Sequence, residues 1–130
     1  MEIPAPKHHS EAFLKIVEDA KTRIKEISID EYQRMLAAGV AGQLVDVRED
    51  SEWVAGHAKG AVHLGKGVIE RDIEKAFPDK RTKLVLYCGG GFRSALAADN
   101  IGKMGYTNAL SLDGGWRAIL AAGLPLEGNS

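Results

Sequence analysis

One thiol, three glycines and an arginine stand together in LVLYCGGGFRSALAAD, residues 84–99. Cys88 is the only cysteine in the chain, and it ends an apolar run. Gly89, Gly90, Gly91, Phe92, Arg93 and Ser94 lead from it into a helical pattern. A thiolate is the nucleophilic form of cysteine. The first N–H groups of a helix have no intrahelical partners, and the helix dipole adds positive potential there. A sulfur between a strand end and a helix start is therefore expected to act as a nucleophile. A short loop wrapped around one sulfur must turn its amides inward, and the glycines are expected to supply the unusual φ values and the room this needs. Arg93 can fork two N–H groups toward an anionic substrate. The Ser94 hydroxyl can donate to the sulfur or cap the helix. The competing reading is a buried structural cysteine beside a tight turn.

Other uses of the glycine run fail on spacing. A phosphate-binding loop ends in G-K-[ST], which GGGFRS lacks. A dinucleotide fingerprint needs a third glycine in G-x-G-x-x-G, and a C-x-x-C redox pair needs a second cysteine.

Alternating strands and helices are what would hold such a loop. SEAFLKIVEDAKTRIKEI (10–27) reads as an amphipathic helix with Ser10 as N-cap and Phe13, Val17, Ala20 and Ile24 on its apolar face. KEISI, GQLVDVRED, AVHL, TKLVLYC and TNALSL read as strands. DEYQRMLAAG, ERDIEKAF, RSALAADNIGKMGY and GGWRAILAAG read as helices, stopped by Gly39, Pro78 and Gly123 where a breaker is at hand. Ala97, Ile101 and Met104 share one helix face. Several strands are apolar throughout, which predicts an α/β fold: a central, mostly parallel five-stranded sheet with helices on both faces, plus an N-terminal helix. In such sheets ligands bind beyond the carboxyl ends of the strands, where Cys88 is expected.

The chain's 130 residues suffice for one domain with a real core. A net charge of −1, with no basic stripe, gives no footprint for nucleic acid or a membrane surface. The N-terminal residues lack the apolar core of a signal peptide, and no apolar run is long enough to span a bilayer, so a cytoplasmic protein is expected. Residues 1–9, with Pro4, Pro6, His8 and His9, read as a flexible lead-in. No Cys or carboxylate cluster completes a ligand set around the two histidines, so they read as a solvated tail and no metal is expected.

Several spaced motifs together resemble the rhodanese family of sulfurtransferases. LVDVRE (44–49) resembles the family's first signature, and EWVAGHAKGAVHL (52–64) the segment after it. VLYCGGGFRS (85–94) resembles the active-site strand and loop, and LDGGWRAI (112–119) the signature that opens the last helix. The likeness covers roughly residues 26–126 and divides the chain into an N-terminal tail and helix (1–25) and a rhodanese-like domain (26–130). It implies that Cys88 is the catalytic nucleophile, carrying sulfur as a persulfide, and that residues 89–93 cradle that sulfur. Two positions depart from the pattern. Ala58 stands where Ile or Val is usual, a packing change. Gly89 stands where many members carry Arg or Lys, which removes a cation beside the bound anion and is expected to weaken thiosulfate binding. Asp46, Arg48, Glu52 and His57 read as a buried ion-pair and hydrogen-bond network that fixes the loop after the second strand, with Asp46 and Arg48 supporting the site; the competing reading has Arg48 help set the potential at the active site. Trp53 and Trp116 read as fillers of core or rim, and His63 as a strand residue.

The function implied is sulfur transfer. A donor such as thiosulfate gives its outer sulfur to Cys88, and cyanide or a thiol takes it, with a partner protein as one form of acceptor. No metal or organic cofactor is called for. Two other classes compete. Phosphatases and arsenate reductases of the C-x5-R type use one more residue between Cys and Arg than the four seen here. A non-enzymatic rhodanese-like module, or a persulfide carrier, is the other.

Overall fold

Local signals set the first elements in this computed structural model, which describes residues 2–4 and 8–128. The Ser10 hydroxyl accepts from Phe13 N at 3.2 Å and starts helix α1 (Glu11–Lys21). Thr22 ends it, its hydroxyl donating to Asp19 O at 2.7 Å. The helix is therefore shorter than its apolar pattern suggests, and Ile24 packs on the core from the turn beyond it. Strand β1 (Lys25–Ile27) follows. Ser28 and Glu31 then form a reciprocal capping box at helix α2 (Ile29–Ala37).

Strand β2 (Gln43–Asp46) stops four residues short of the expected end. Asp46 accepts from the amide of Arg48 at 2.8 Å, which turns the chain away from the sheet. Helix α3 (Asp50–Ala55) and the short strand β3 (His57–Ala58) occupy a segment given no element above. Strand β4 (Val62–His63), helix α4 (Ile69–Ala76), strand β5 (Leu84–Tyr87), helix α5 (Phe92–Lys103), strand β6 (Ala109–Leu112) and helix α6 (Gly115–Ala121) follow in the expected order. A further strand, β7 (Leu126–Glu127), pairs antiparallel with β3. Both missed strands have two residues, too few to show a period.

The central sheet has the order β1-β6-β5-β2-β4 and is parallel throughout. Successive strand side chains point to opposite faces, and β5 divides its residues accordingly. Leu84, Leu86 and Cys88 join the core under α4 and α5, with Val45, Ile69, Ile73 and Ile101. Val85 and Tyr87 join the core under α2 and α6, with Tyr32, Leu112, Trp116 and Ile119. Cys88 thus continues the strand's alternation and emerges on the face that carries α5.

α1 covers α5 and buries Val17 and Ala20. Arg23 locks this layer in place by a bidentate pair with Asp99 of α5, at 2.9 and 2.8 Å. Hydrogen bonding to Arg23 holds the Asp99 carboxyl below the ordinary value of 3.8 against the opposing effect of burial. A carboxylate whose folded pKa is lowered stabilises the protein above its unfolded value, and that contribution is lost as pH falls. Arg23→Ala is therefore expected to lower the melting temperature at pH near 7 and to speed amide exchange in α1. The difference from wild type should shrink as the pH drops through about 4 and below. Thermal melts of both proteins across that range check this; a constant difference would assign the effect to packing alone.

Candidate active site

The Cys88 side chain is almost wholly buried, at 1% exposure. Its Sγ accepts the Gly91 amide at 3.1 Å and lies 3.6 Å from Ser94 Oγ. Ser94 Oγ in turn lies 2.8 Å from Ser111 Oγ on β6, so sulfur and two hydroxyls form a buried line. Both serines are fully buried.

What orients the loop is its outer side. Two N-terminal amides of α6 bond to loop carbonyls: Trp116 N to Cys88 O at 2.6 Å, and Arg117 N to Gly89 O at 3.2 Å. A helix start always has such free donors, and here the loop satisfies them. In a trans peptide the C=O and the following N–H point in opposite directions. Holding the Cys88 and Gly89 carbonyls on α6 therefore turns the amides of Gly89 and Gly90 away from it. Close approach is possible because residue 115 is glycine. Gly115 has φ +48°, and a Cβ there would collide with the Cys88 carbonyl oxygen. Gly114 also has positive φ, +80°.

The three loop glycines divide the two expected roles, unusual φ and room, between them. Gly91 alone of them is left-handed, at φ +104°. A Cβ on Gly89 would meet only the far end of Arg93, at 3.3 Å. A Cβ on Gly90 would come 2.7 Å from Arg117 Nη2, so Gly90 leaves room for that guanidinium to lie over the loop.

Arg93 lies in the first turn of α5, and both its terminal nitrogens bond to Glu52 of α3, at 2.8 and 3.2 Å. The fork that the sequence aims at an anion is thus taken up by a carboxylate. Burial opposes ionisation of Glu52, but the Arg93 hydrogen bonds and the Glu49 amide outweigh it and set its carboxyl below the ordinary 4.5. Bonding to Glu52 raises Arg93 in turn. The second cation of the site is Arg117, which the sequence reading passed over inside LDGGWRAI. It forms no ion pair with any described residue.

Asp46 and Arg48 lie behind the site rather than in it. They form a buried ion pair at 2.8 Å, and Arg48 also donates to Gly56 O. The Arg48 guanidinium sits 4.3 Å from the Trp116 ring centre and 5.7 Å from that of Tyr87. The Tyr87 hydroxyl accepts from Ala58 N at 3.1 Å, and burial first, then the Asp46 carboxylate, hold it protonated. Trp53 stacks with both His57 and His63, at 3.4 and 4.9 Å, and His63 Nε2 reaches Arg48 O at 2.8 Å. These contacts tie α3, β3 and β4 to the strand ends that carry the loop.

Cys88 opens into a cleft of about 630 Å³. Its inner wall is Gly89, Gly90, Trp116 and Arg117, with Glu52 and Arg93 on one side. Its outer wall is Phe92, Phe13 and Leu14, with Pro4, His8 and His9. His9 is therefore not a solvated tail residue: its ring lies 4.8 Å from Phe92 and 5.0 Å from Phe13. Pro6, the other lead-in proline, lies outside the described residues.

A parallel α/β sheet whose central strand ends on a buried thiol in a glycine loop defines a class of cysteine-centred α/β domain. The chain belongs to the rhodanese-like domain family, whose model matches residues 28–122. It is 34% identical to thiosulfate sulfurtransferase GlpE of Pseudomonas entomophila over 112 residues, 84% of this chain and 98% of that one. Among solved structures it resembles the polysulfide-sulfur transferase of Wolinella succinogenes, with a TM-score of 0.75, 27% identity, and 92% of this chain and 89% of that one covered. It also resembles a Rhodopseudomonas palustris protein of unknown function described as a possible tyrosine phosphatase, with a TM-score of 0.80 and 26% identity over 95% of this chain and 100% of that one. The fold and family are thus those of rhodanese-type transferases.

Two variants test the geometry. Gly115→Ala combines a left-handed φ with a backbone collision and should cost roughly 1–3 kcal/mol, whereas Gly89→Ala should be nearly neutral. Arg48→Ala leaves Asp46 buried without its partner and should cost about 3–5 kcal/mol. Urea titrations give all three values; equal costs for the two glycine variants would contradict the loop geometry.

Proposed function

We propose that the chain is a sulfurtransferase that carries sulfane sulfur on Cys88. The observation that carries this reading is the sulfur cradle. Sγ accepts one loop amide, and α6 turns two more away from itself, beside the cleft. The Cys88 thiolate attacks the outer sulfur of a donor such as thiosulfate. A new S–S bond forms to Sγ, the donor's S–S bond breaks, and sulfite leaves with the electron pair. Cyanide or a thiolate then attacks the outer sulfur of the persulfide and Cys88 departs as thiolate. Sulfur travels on the cysteine itself, so the reaction as written draws on no metal or organic cofactor.

Gly89 and Gly90 would bind the outer sulfur and its negative charge through their amides, while the Gly91 amide stays on Sγ. Phe92 would wall the cradle, and Ser94 would hold Sγ in place. Arg93, held by Glu52, would fix the end of the substrate-binding loop against α3 rather than contact the substrate itself. Asp46 and Arg48 would support the strand end. From the N-terminal tail and helix (1–25), Pro4, His8, His9, Phe13 and Leu14 would complete the cleft of the rhodanese-like domain (26–130). A reducing compartment, the cytoplasm, suits a chain whose one thiol must stay available.

Intact mass after incubation with thiosulfate tests the proposal. Wild type should gain one sulfur atom and form thiocyanate when cyanide is added; Cys88→Ser should do neither while keeping its fold. Absence of the gain in wild type, or clear turnover by Cys88→Ser, overturns it. The resemblance to a protein described as a possible tyrosine phosphatase motivates a parallel arm. Hydrolysis of an aryl phosphate faster than sulfur transfer would make phosphate ester cleavage the better reading.

A further inference from the structure

The cleft is far larger than thiosulfate requires. At about 630 Å³ it falls within the range of roughly 300–1,000 Å³ typical of pockets for organic ligands. Its chemistry is divided. The outer wall offers the rings of Phe13 and Phe92 and the side chain of Leu14, an apolar surface no inorganic anion uses. The inner wall offers the Arg117 guanidinium, half-buried over Gly90. The neighbouring cation is already neutralised, since Glu52 holds both terminal nitrogens of Arg93. An uncommitted guanidinium facing a partly apolar cleft favours a ligand with one anionic group on an apolar body.

We propose that the cleft accepts an organic thiol acid: a small thiol with an apolar arm and a carboxylate, the arm lying on Phe13 and Phe92 and the carboxylate on Arg117. This rests on the sulfurtransferase reading and names its acceptor class. The acceptor's thiolate attacks the outer sulfur of the Cys88 persulfide. The acceptor's S–S bond forms, the bond to Sγ breaks, Cys88 leaves as thiolate with the electron pair, and the proton that the acceptor's thiol released goes to solvent. No oxidant or reductant enters, because the sulfane sulfur moves between thiols. Arg117 acts as a specificity residue that selects the acceptor.

Binding of unreactive analogues tests the assignment without turnover. Phenylacetate and its uncharged counterpart phenylacetamide are titrated into the full chain by calorimetry. Wild type should bind phenylacetate at least about ten-fold more tightly, the gain expected of one charge-assisted hydrogen bond. Arg117→Gln should bring the two affinities within about three-fold, and Arg117→Lys should restore part of the gap. Phe13→Ala should narrow the gap between phenylacetate and acetate. In parallel, persulfide-loaded protein is offered mercaptophenylacetate and mercaptophenylacetamide, and the ratio of their kcat/KM values should fall about ten-fold in Arg117→Gln. Equal binding of the two analogues by wild type, or a preference that survives Arg117→Gln, overturns the assignment. Sulfur gain on Cys88 is scored on the same preparations by intact mass. Persulfide formation without acid selectivity rejects the acceptor class alone; absence of persulfide rejects the parent reading.

Discussion

The contact on which the site depends is backbone to backbone. α6 donates Trp116 N and Arg117 N to the carbonyls of Cys88 and Gly89. Two needs are met at once. The free donors of a helix start find acceptors, and the planar peptide units of the loop are fixed in one orientation. A loop so short has no side chains with which to hold its own shape. Its conformation is set from outside, by a helix that begins about twenty-seven residues later in the chain, counting from Cys88 to Gly115. Gly115 makes that approach possible, and the parallel sheet, which places β5 beside β6, brings the two segments together.

Charge is distributed around this contact so that most of it is committed to structure. Arg48 is bound to Asp46 and Gly56 and lies on the rings of Trp116 and Tyr87, deep in the fold. A buried pair of this kind adds little net stability but is costly to break, which suits a role in fixing one arrangement of strand ends. Arg93 is bound to Glu52, joining α5 to α3. On the inner wall of the cleft, among the described residues, the loop amides and Arg117 remain for a ligand. Amides carry partial charge and suit a diffuse, polarisable sulfur anion; the guanidinium matches a planar carboxylate.

The sequence revealed the layers of the fold well because the signals there are strong. The apolar run of β5, the capping residues Ser10 and the Gly39 and Gly123 stops each report local physics that tertiary packing did not override. α3 was illegible because its six residues show too little of a helical period, and β3 and β7 because each has two. Cys88 and its glycines were legible as a site from position and residue type. The division of labour among those glycines was not, since φ values depend on where α6 comes to rest. Arg117 was missed for a related reason. Nothing within its own helix marks it as part of a cleft; that follows from the absence of a side chain on Gly90, in a different segment. His9 was misread because its partners, Phe13 and Phe92, join it only once α1 lies on α5.

Loop length and the state of Arg93 together bear on the choice between sulfur and phosphate chemistry. A loop that holds a tetrahedral oxyanion needs donors on several sides and an arginine free to complete the ring. Here four residues separate Cys88 from Arg93, and the guanidinium is drawn sideways onto Glu52. For Arg93 to serve a phosphate, Glu52 would have to give up this ion pair while half-buried, at a desolvation cost that a surface pair would not incur. A single sulfur beyond Sγ asks for less. It extends from the thiol toward amides already turned away from α6, and no ion pair need be broken to receive it. The resemblance to a protein described as a possible tyrosine phosphatase is therefore best understood as a likeness of scaffold, with the Arg93–Glu52 pair favouring the smaller ligand.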